Sequence, residues 1–389
     1  MIFLIQTPHP WRGIRQRPHH LAARLAGRGH FVRWVEPRYL RWLLGRRADF
    51  LRARRESPLL NLEVRPVTLV NGERIPLIRA YNQHSLARAL NAPSPPSTSI
   101  GAEEAKGPRV LWLYNPHEGH LADRVPHDLL VYDIMDEYQG FPWSPPGIAE
   151  EEKALLARAD WVFAGTRALY DAKRPFVRDD QIECILSGVE TDLFAHPKLN
   201  PAVHATNQEL RQRHTKLIGY AGMIDLRVDQ ELLVQAAQRF PRWGFVLVGP
   251  AACDVSSLQA RPNIHLLGQQ PYEALPAWYQ GWDAAMLPFV ENELTRHINP
   301  TKMLEYAAAG LPILARALPD VRTFYAGGAW LYETAEQFLD QLAILDRADP
   351  AELEPRLAVA RAWCAERSWD AIAERMLARV TALLAKVVA

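Results

Sequence analysis

The sequence predicts an α/β protein made of two parallel-sheet domains, and three observations carry that expectation. Short apolar runs alternate with helical patterns, which is the rhythm of βα units. The rhythm breaks after residue 186 and restarts at 216, so two sheets are expected rather than one. At 389 residues, 48% hydrophobic and 23% charged, the chain is also long enough to bury two cores.

In the first half the strand candidates are "IFLI" (2–5), "FVRWVEP" (31–37), "RVLWLY" (109–114), "LLVYDI" (129–134), "WVFAG" (161–165) and "IECIL" (182–186). After the first of them, "TPHPWRGIRQRPHHLAARLAGRGH" reads as a glycine-containing loop and then a helix beginning near Pro18. The stretch 38–55 holds seven arginines, one acid and interleaved Leu, Trp, Tyr and Phe residues. It reads either as a helix with its arginines in water or as a surface for an anionic bilayer or a lipid-linked acceptor. The polar, proline-bearing segment 91–108 reads as a mobile loop, since only about two strands precede it.

The aperiodic stretch 192–212 marks the boundary, giving domains at 1–198 and 199–365. Strands resume at "KLIGYAG" (216–222), "GFVLVGP" (244–250), "IHLLG" (264–268), "AAMLPF" (284–289) and "LPILAR" (311–316). A terminal helix within 366–389 is expected to return to the first domain.

Formal charge is +1, from 45 basic and 44 acidic residues, so nothing global favours nucleic acid as a partner. Cys184, Cys253 and Cys364 form no C-x-x-C and leave one thiol over in any disulfide scheme, which favours a reducing compartment. No apolar run reaches membrane-span length, so a cytoplasmic protein is expected, or one peripheral to the inner face of the membrane. His19 and His20 are adjacent, not at metal spacing, and no Asp-x-Asp or Cys/His cluster is present, so no metal is expected.

The stretch richest in chemistry is "RHINPTKMLEYAAAGLPI", Arg296 to Ile313. Asn299 reads as an N-cap, Pro300 as the first helical residue, and Gly310 with Pro312 as the stop. Lys302 then lies in the first turn, where the helix dipole disfavours a cation and a bound anion would resolve the conflict. Glu305 lies on the same side, suited to accept from two vicinal hydroxyls such as those of a ribose, or else to pair with Lys302 or Arg296. The loop before this helix adds Glu291, Glu293, Arg296 and His297. Gly222 and Arg227 follow the first strand of the second domain, where a diphosphate could approach the glycine backbone and the arginine neutralise it; a plain turn with a solvated arginine is the simpler alternative. In the first domain, Arg12, Arg15 and Arg17 converge on the first turn and suit an anionic ligand, though without G-x-G-x-x-G a dinucleotide is not expected. His117, Asp133, Asp136 and Glu137 follow strands, where each could act as a general base or simply cap a loop.

Seven segments taken in order resemble the GT-B glycosyltransferases of the family 4 type, especially their bacterial cell-surface polysaccharide branch. They are "QRPHHLAARLAGRGH", "VYDIMDEY", "ADWVFAGTRAL", "LSGVETDLF", "YAGMIDLRVDQELL", "NIHLLGQQPYEALPAWYQGWDAAMLPF" and "NELTRHINPTKMLEYAAAGLPI". The resemblance implies two Rossmann-like domains facing across a cleft, a nucleotide-diphosphate-sugar as co-substrate in the second, and a glycan or lipid-linked acceptor in the first. It implies no metal or other cofactor. It assigns the ribose contact to Glu305 and diphosphate contacts to Lys302 and Arg227, within a donor set of Gly222, Arg227, Glu293, Arg296, His297, Asn299, Lys302 and Glu305. His117 and Asp136 become catalytic candidates, and Arg12, Arg15 and Arg17 acceptor contacts. Two positions depart from the pattern: His297 stands where the family has the first acid of its glutamate pair, and Met223 where a basic residue is usual. They keep alive a catalytically silent nucleotide-sugar binding or scaffold protein, while a nucleotide-sugar epimerase is a further alternative on the same architecture.

Overall fold

A computed structural model of the chain describes residues 1–13, 15–39, 56–71, 75–93, 107–141, 144–178 and 181–388. Most of the arginine-rich stretch 38–55 and most of 91–108 lie outside the described residues. The chain divides into two compact units, Met1–Ile185 with Asp370–Ala389, and Leu186–Trp369.

Unit 1 is built on an eight-stranded sheet: β1 (Ile2–Gln6), β2 (Phe31–Tyr39), β3 (Glu56–Leu59), β4 (Leu62–Leu69), β5 (Arg109–Leu113), β6 (Leu129–Ile134), β7 (Trp161–Ala164) and β8 (Ile182–Cys184). Their order is β3-β4-β2-β1-β5-β6-β7-β8. Every pairing is parallel except β3 with β4. Six strands coincide with apolar runs, because a parallel strand covered on both faces reads as continuous hydrophobicity.

β3 and β4 are the additions. β4 carries Glu63, Arg65 and Pro66, a composition that conceals a buried strand. Glu63 accepts from Arg33 at 3.2 Å and Arg65 at 2.6 Å, and Arg65 also donates to the carbonyls of Ala89, Ala92 and Pro93. Those buried charges are tolerable because each has partners of opposite sign or carbonyl dipoles. The two arginines hold the Glu63 carboxyl below its usual range against the upward push of burial. Pro66 lies past the end of β3, whose pairing runs only from Leu62 to Val64, so its missing N–H removes no ladder bond on that side.

The last helix, Trp369–Val388, enters unit 1 at Asp370. It buries Met376 and Val380, and Arg375 pairs with Glu183 at 2.6 Å. Asp370 meets Arg24 at 3.0 Å.

Unit 2 has six parallel strands: β9 (Lys216–Ala221), β10 (Trp243–Val248), β11 (Ile264–Leu266), β12 (Ala284–Leu287), β13 (Ile313–Arg316) and β14 (Trp330–Tyr332). They run in the order β11-β10-β9-β12-β13-β14. The sequence reading lacked β14, a three-residue strand with too short a signal. Strand order reverses at β9, flanked by β10 on one side and β12 on the other, which puts the topological switch point at the carboxyl ends of β9 and β12.

Residues 186–198, placed in the first domain from sequence, fold with unit 2. Phe194 stacks on Tyr279 with centroids 5.5 Å apart, and the Val189 N–H donates to the Arg367 carbonyl at 3.0 Å. The second crossing falls between Trp369 and Asp370 rather than at 365/366.

Candidate functional site

The loops that leave β9 and β12 are pinned together at the switch point. The Asp229 N–H donates to the Pro288 carbonyl at 2.7 Å and the Val290 N–H to the Arg227 carbonyl at 2.9 Å. One turn deeper, the Ala221 N–H at the end of β9 donates to the Tyr306 hydroxyl at 2.8 Å. Gly222 and Glu305 are the chain neighbours of that pair, so a single bond ties the glycine turn to the helix Lys302–Ala308.

That helix starts later than the sequence suggests. Its N-cap is Thr301, already helical at φ −57° and ψ −24°, with no side-chain cap bond. Asn299 is not the cap: its amide donates to Asp320 at 3.1 Å and its carbonyl accepts from the Tyr325 hydroxyl at 2.7 Å. Those partners hold Asn299 sideways onto the helix Pro319–Tyr325, which spacing along the chain cannot reveal. The stop is as expected, with Gly310 at φ +74°, a left-handed position that favours glycine.

Lys302 lies in the first turn, and the charge conflict there is resolved within the protein. Its Nζ donates to Glu305 Oε2 at 2.6 Å, and the Tyr279 hydroxyl donates to the same oxygen at 2.9 Å. Glu305 is 4% exposed, and burial drives the Tyr279 hydroxyl far above its ordinary pKa, keeping it a donor. The ion-pair alternative for Glu305 is therefore the one the structure shows. Tyr279 escaped the sequence reading because its only signal was a tyrosine in "PAWYQGW", which reads as core.

Arg227 likewise has a local partner, Asp225, bound through both carboxylate oxygens at 2.7 to 3.1 Å. Arg296 is half-exposed and reaches Glu291 and Glu293 only at 3.8 and 3.9 Å. The short helix Glu293–Arg296 is fixed by a capping box between Asn292 and Thr295, and His297 Nδ1 contacts the Glu293 carbonyl at 3.0 Å. Gly222 has a packing reason beside any ligand: a Cβ there would meet the Tyr220 hydroxyl at 2.6 Å.

In unit 1 the three arginines do not converge. Arg17 is buried, with Nε 3.0 Å from Asp133 and a guanidinium N–H donating to the Ile185 carbonyl at 2.6 Å. It opens the helix Arg17–Gly27 and is drawn inward by a carboxylate at the end of β6. Arg15 stays near the turn, 5.3 Å over the Trp11 ring, and Arg12 is exposed. His117 follows β5 in a 3-10 turn capped by Asn115, with Nδ1 2.6 Å from Glu151. Glu151 also accepts from Arg79 at 2.6 Å. Asp136 is half-buried just past β6; burial raises the nearby Tyr138 hydroxyl pKa and the Asp136 charge adds to it. Among the described residues no group of three or more His, Cys, Asp or Glu side chains is arranged to hold a metal ion.

Known proteins agree with this architecture. Residues 215–345, which contain the whole switch-point site, match the family described as Glycosyl transferases group 1. A Bacillus subtilis protein provisionally named as the teichuronic acid biosynthesis glycosyltransferase TuaH is 24% identical over 288 residues, 69% of this chain and 68% of that protein. The sucrose-phosphate synthase of Thermosynechococcus elongatus superposes with a TM-score of 0.74 over 99% of both chains at 17% identity. HepE of Anabaena, solved with UDP-glucose, gives 0.67 over 98% of this chain and 99% of that one at 14% identity. At such identities the likeness shows the fold, which is GT-B.

Proposed function

We infer that this chain is a glycosyltransferase of the group 1 type that takes a nucleotide-diphosphate-sugar as donor and transfers the sugar to a hydroxyl. The observation that carries the reading is the Lys302–Glu305 pair, nearly buried at the start of a helix at the unit 2 switch point, inside the segment that matches the family. Donor binding would exchange partners there. Lys302 and the helix-start amides turn to the diphosphate, while Glu305 accepts from the ribose hydroxyls. Arg227, held by a partly exposed Asp225, and Arg296, only loosely paired with the exposed Glu291 and Glu293, are the further cations within the donor set. In the reaction an acceptor oxygen bonds to the anomeric carbon as the bond to the diphosphate breaks. Positioning and stabilisation of the leaving diphosphate supply most of the rate.

Acceptor determinants are assigned to unit 1. His117, oriented by Glu151, and Asp136 are the groups suited to take a hydroxyl proton, and Arg12 and Arg15 remain as contacts for an anionic acceptor. Family 4 is the subgroup that the motif order favours. The name of the Bacillus subtilis relative supports a cell-surface polysaccharide or its glycan or lipid-linked precursor as the acceptor. No helix of the described residues is long and apolar enough to cross a membrane, and a cytoplasmic enzyme, peripheral at the membrane face, suits such an acceptor.

The test is a thermal-shift screen against UDP, GDP, dTDP, ADP and CMP, with and without magnesium, on wild type and Glu305→Ala. A ligand at 100 times its Kd that binds only the native state stabilises by about 2.7 kcal/mol. One diphosphate should raise the melting temperature of the wild type, without magnesium, and not that of the variant. If none does, the silent scaffold reading replaces this one. Nucleotide release that requires an added acceptor separates transfer from epimerisation.

A further inference from the structure

Glu305 Oε2 receives two donors of unequal mobility. Lys302 arrives on a flexible stem with a side chain 20% exposed. Tyr279 arrives on a ring that is 1% exposed and held on three sides: Phe194 stacks at 5.5 Å, Trp282 lies at 4.9 Å and Tyr306 meets it edge-on at 5.2 Å. Tyr279 ends the helix Leu275–Tyr279, so its hydroxyl is aimed by backbone and packing together.

This difference matters when the lysine leaves. A carboxylate that is 4% exposed and loses its cation would be a poorly compensated buried charge, which is strongly unfavourable. It would also be free to rotate. On the donor-site reading above, we propose that Tyr279 is a positioning residue for the donor: it keeps hold of Glu305 Oε2 while Lys302 moves to the diphosphate, so that Oε1 stays aimed at the ribose hydroxyls. Tyr279 itself touches no substrate. Its contribution is preorganisation, felt by ligands with a complete ribose diol and much less by those without one.

Calorimetric titration of UDP, GDP and ADP, each beside its 2′-deoxy counterpart, tests this on wild type, Tyr279→Phe, Glu305→Ala and the double variant. Tyr279→Phe keeps the ring and its stacking, so its melting temperature in the absence of ligand should stay near that of the wild type. The ribonucleotide that binds the wild type should bind Tyr279→Phe about tenfold more weakly, the effect of one hydrogen bond to a charged group. The deoxy form should lose much less. The double variant should bind no more weakly than Glu305→Ala, because a residue that works through Glu305 has nothing left to position.

Equal loss for ribo and deoxy forms, or a loss that adds to that of Glu305→Ala, would make Tyr279 a packing residue and overturn the proposal. Unchanged binding in Tyr279→Phe, with binding lost in Glu305→Ala, would overturn it while leaving the donor site standing. If no diphosphate binds the wild type, the donor-site reading fails and takes this assignment with it.

Discussion

Arg17→Met should damage folding rather than acceptor binding, and the size of the effect follows from the partners that Arg17 leaves behind. The Arg17 side chain is 1% exposed and that of Asp133 0%. Removing the guanidinium strands a carboxylate at the end of β6, which costs about 3–5 kcal/mol for a buried pair broken on one side. The pH dependence is diagnostic. Burial already raises the Asp133 carboxyl above its ordinary value of 3.8 against the lowering influence of Arg17, so the contribution of this group to stability is full below 3.8 and is lost as pH rises through the folded value.

Without Arg17 the folded value climbs further. The penalty of Arg17→Met should therefore be greatest near pH 7.5 and shrink as pH falls and Asp133 takes up a proton. Hydrogen exchange of the β6 and Arg17–Gly27 amides reads unit 1 by itself, which a global melt of two units does not. Arg17→Met with Asp133→Leu should recover part of the loss, since an apolar pair carries no stranded charge. Exchange within about 1 kcal/mol of wild type at pH 7.5, together with a raised KM for acceptor, would refute the reasoning and restore Arg17 as an acceptor contact.

Other variants probe the same logic elsewhere. His19 is buried and neutral, with Nδ1 accepting from the Gln16 N–H at 3.2 Å and Nε2 donating to the Pro10 carbonyl at 2.9 Å; burial lowers its pKa from 6.5 to about 4. A depressed histidine adds stability above 6.5 that drains as pH falls toward 4, because the unfolded chain binds more protons in that window. From pH 7.5 to 5 His19 should contribute about 2 kcal/mol to the loss in the protection of unit 1, beside His9 and His120, which burial likewise lowers to about 4, and His19→Gln should reduce the slope by that share; an unchanged slope would exclude His19 as one of its sources. Gly249 sits at φ +153° with its missing Cβ directed onto the Gly222 carbonyl oxygen. Gly249→Ala must displace the backbone of the glycine turn, so it should destabilise unit 2 and abolish diphosphate binding together, and a variant with wild-type melting would contradict that geometry. Lys302→Ala should still fold, with a loss of unit 2 stability because Glu305 keeps the Tyr279 hydroxyl but no cation, yet cut kcat by about 100-fold or more, the scale of losing one donor to developing charge; unimpaired turnover would remove Lys302 from the site.

By itself the sequence determined that there are two parallel sheets, where most of their strands lie, and that Lys302 and Glu305 share one side of a helix start. These are consequences of local burial: a strand covered on both faces must be apolar throughout, and residues three apart on a helix are neighbours. The tertiary structure decided the rest. Arg17 meets Asp133 across 116 positions of sequence, and Tyr279 meets Glu305 across 26. β4 is a strand despite Glu63, Arg65 and Pro66 because Arg33 on the neighbouring strand and the carbonyls after Arg88 compensate its charges. Periodicity records which way a side chain faces. Which charge it meets there depends on chain closure, and that separates an arginine free for substrate from one fixed in the core.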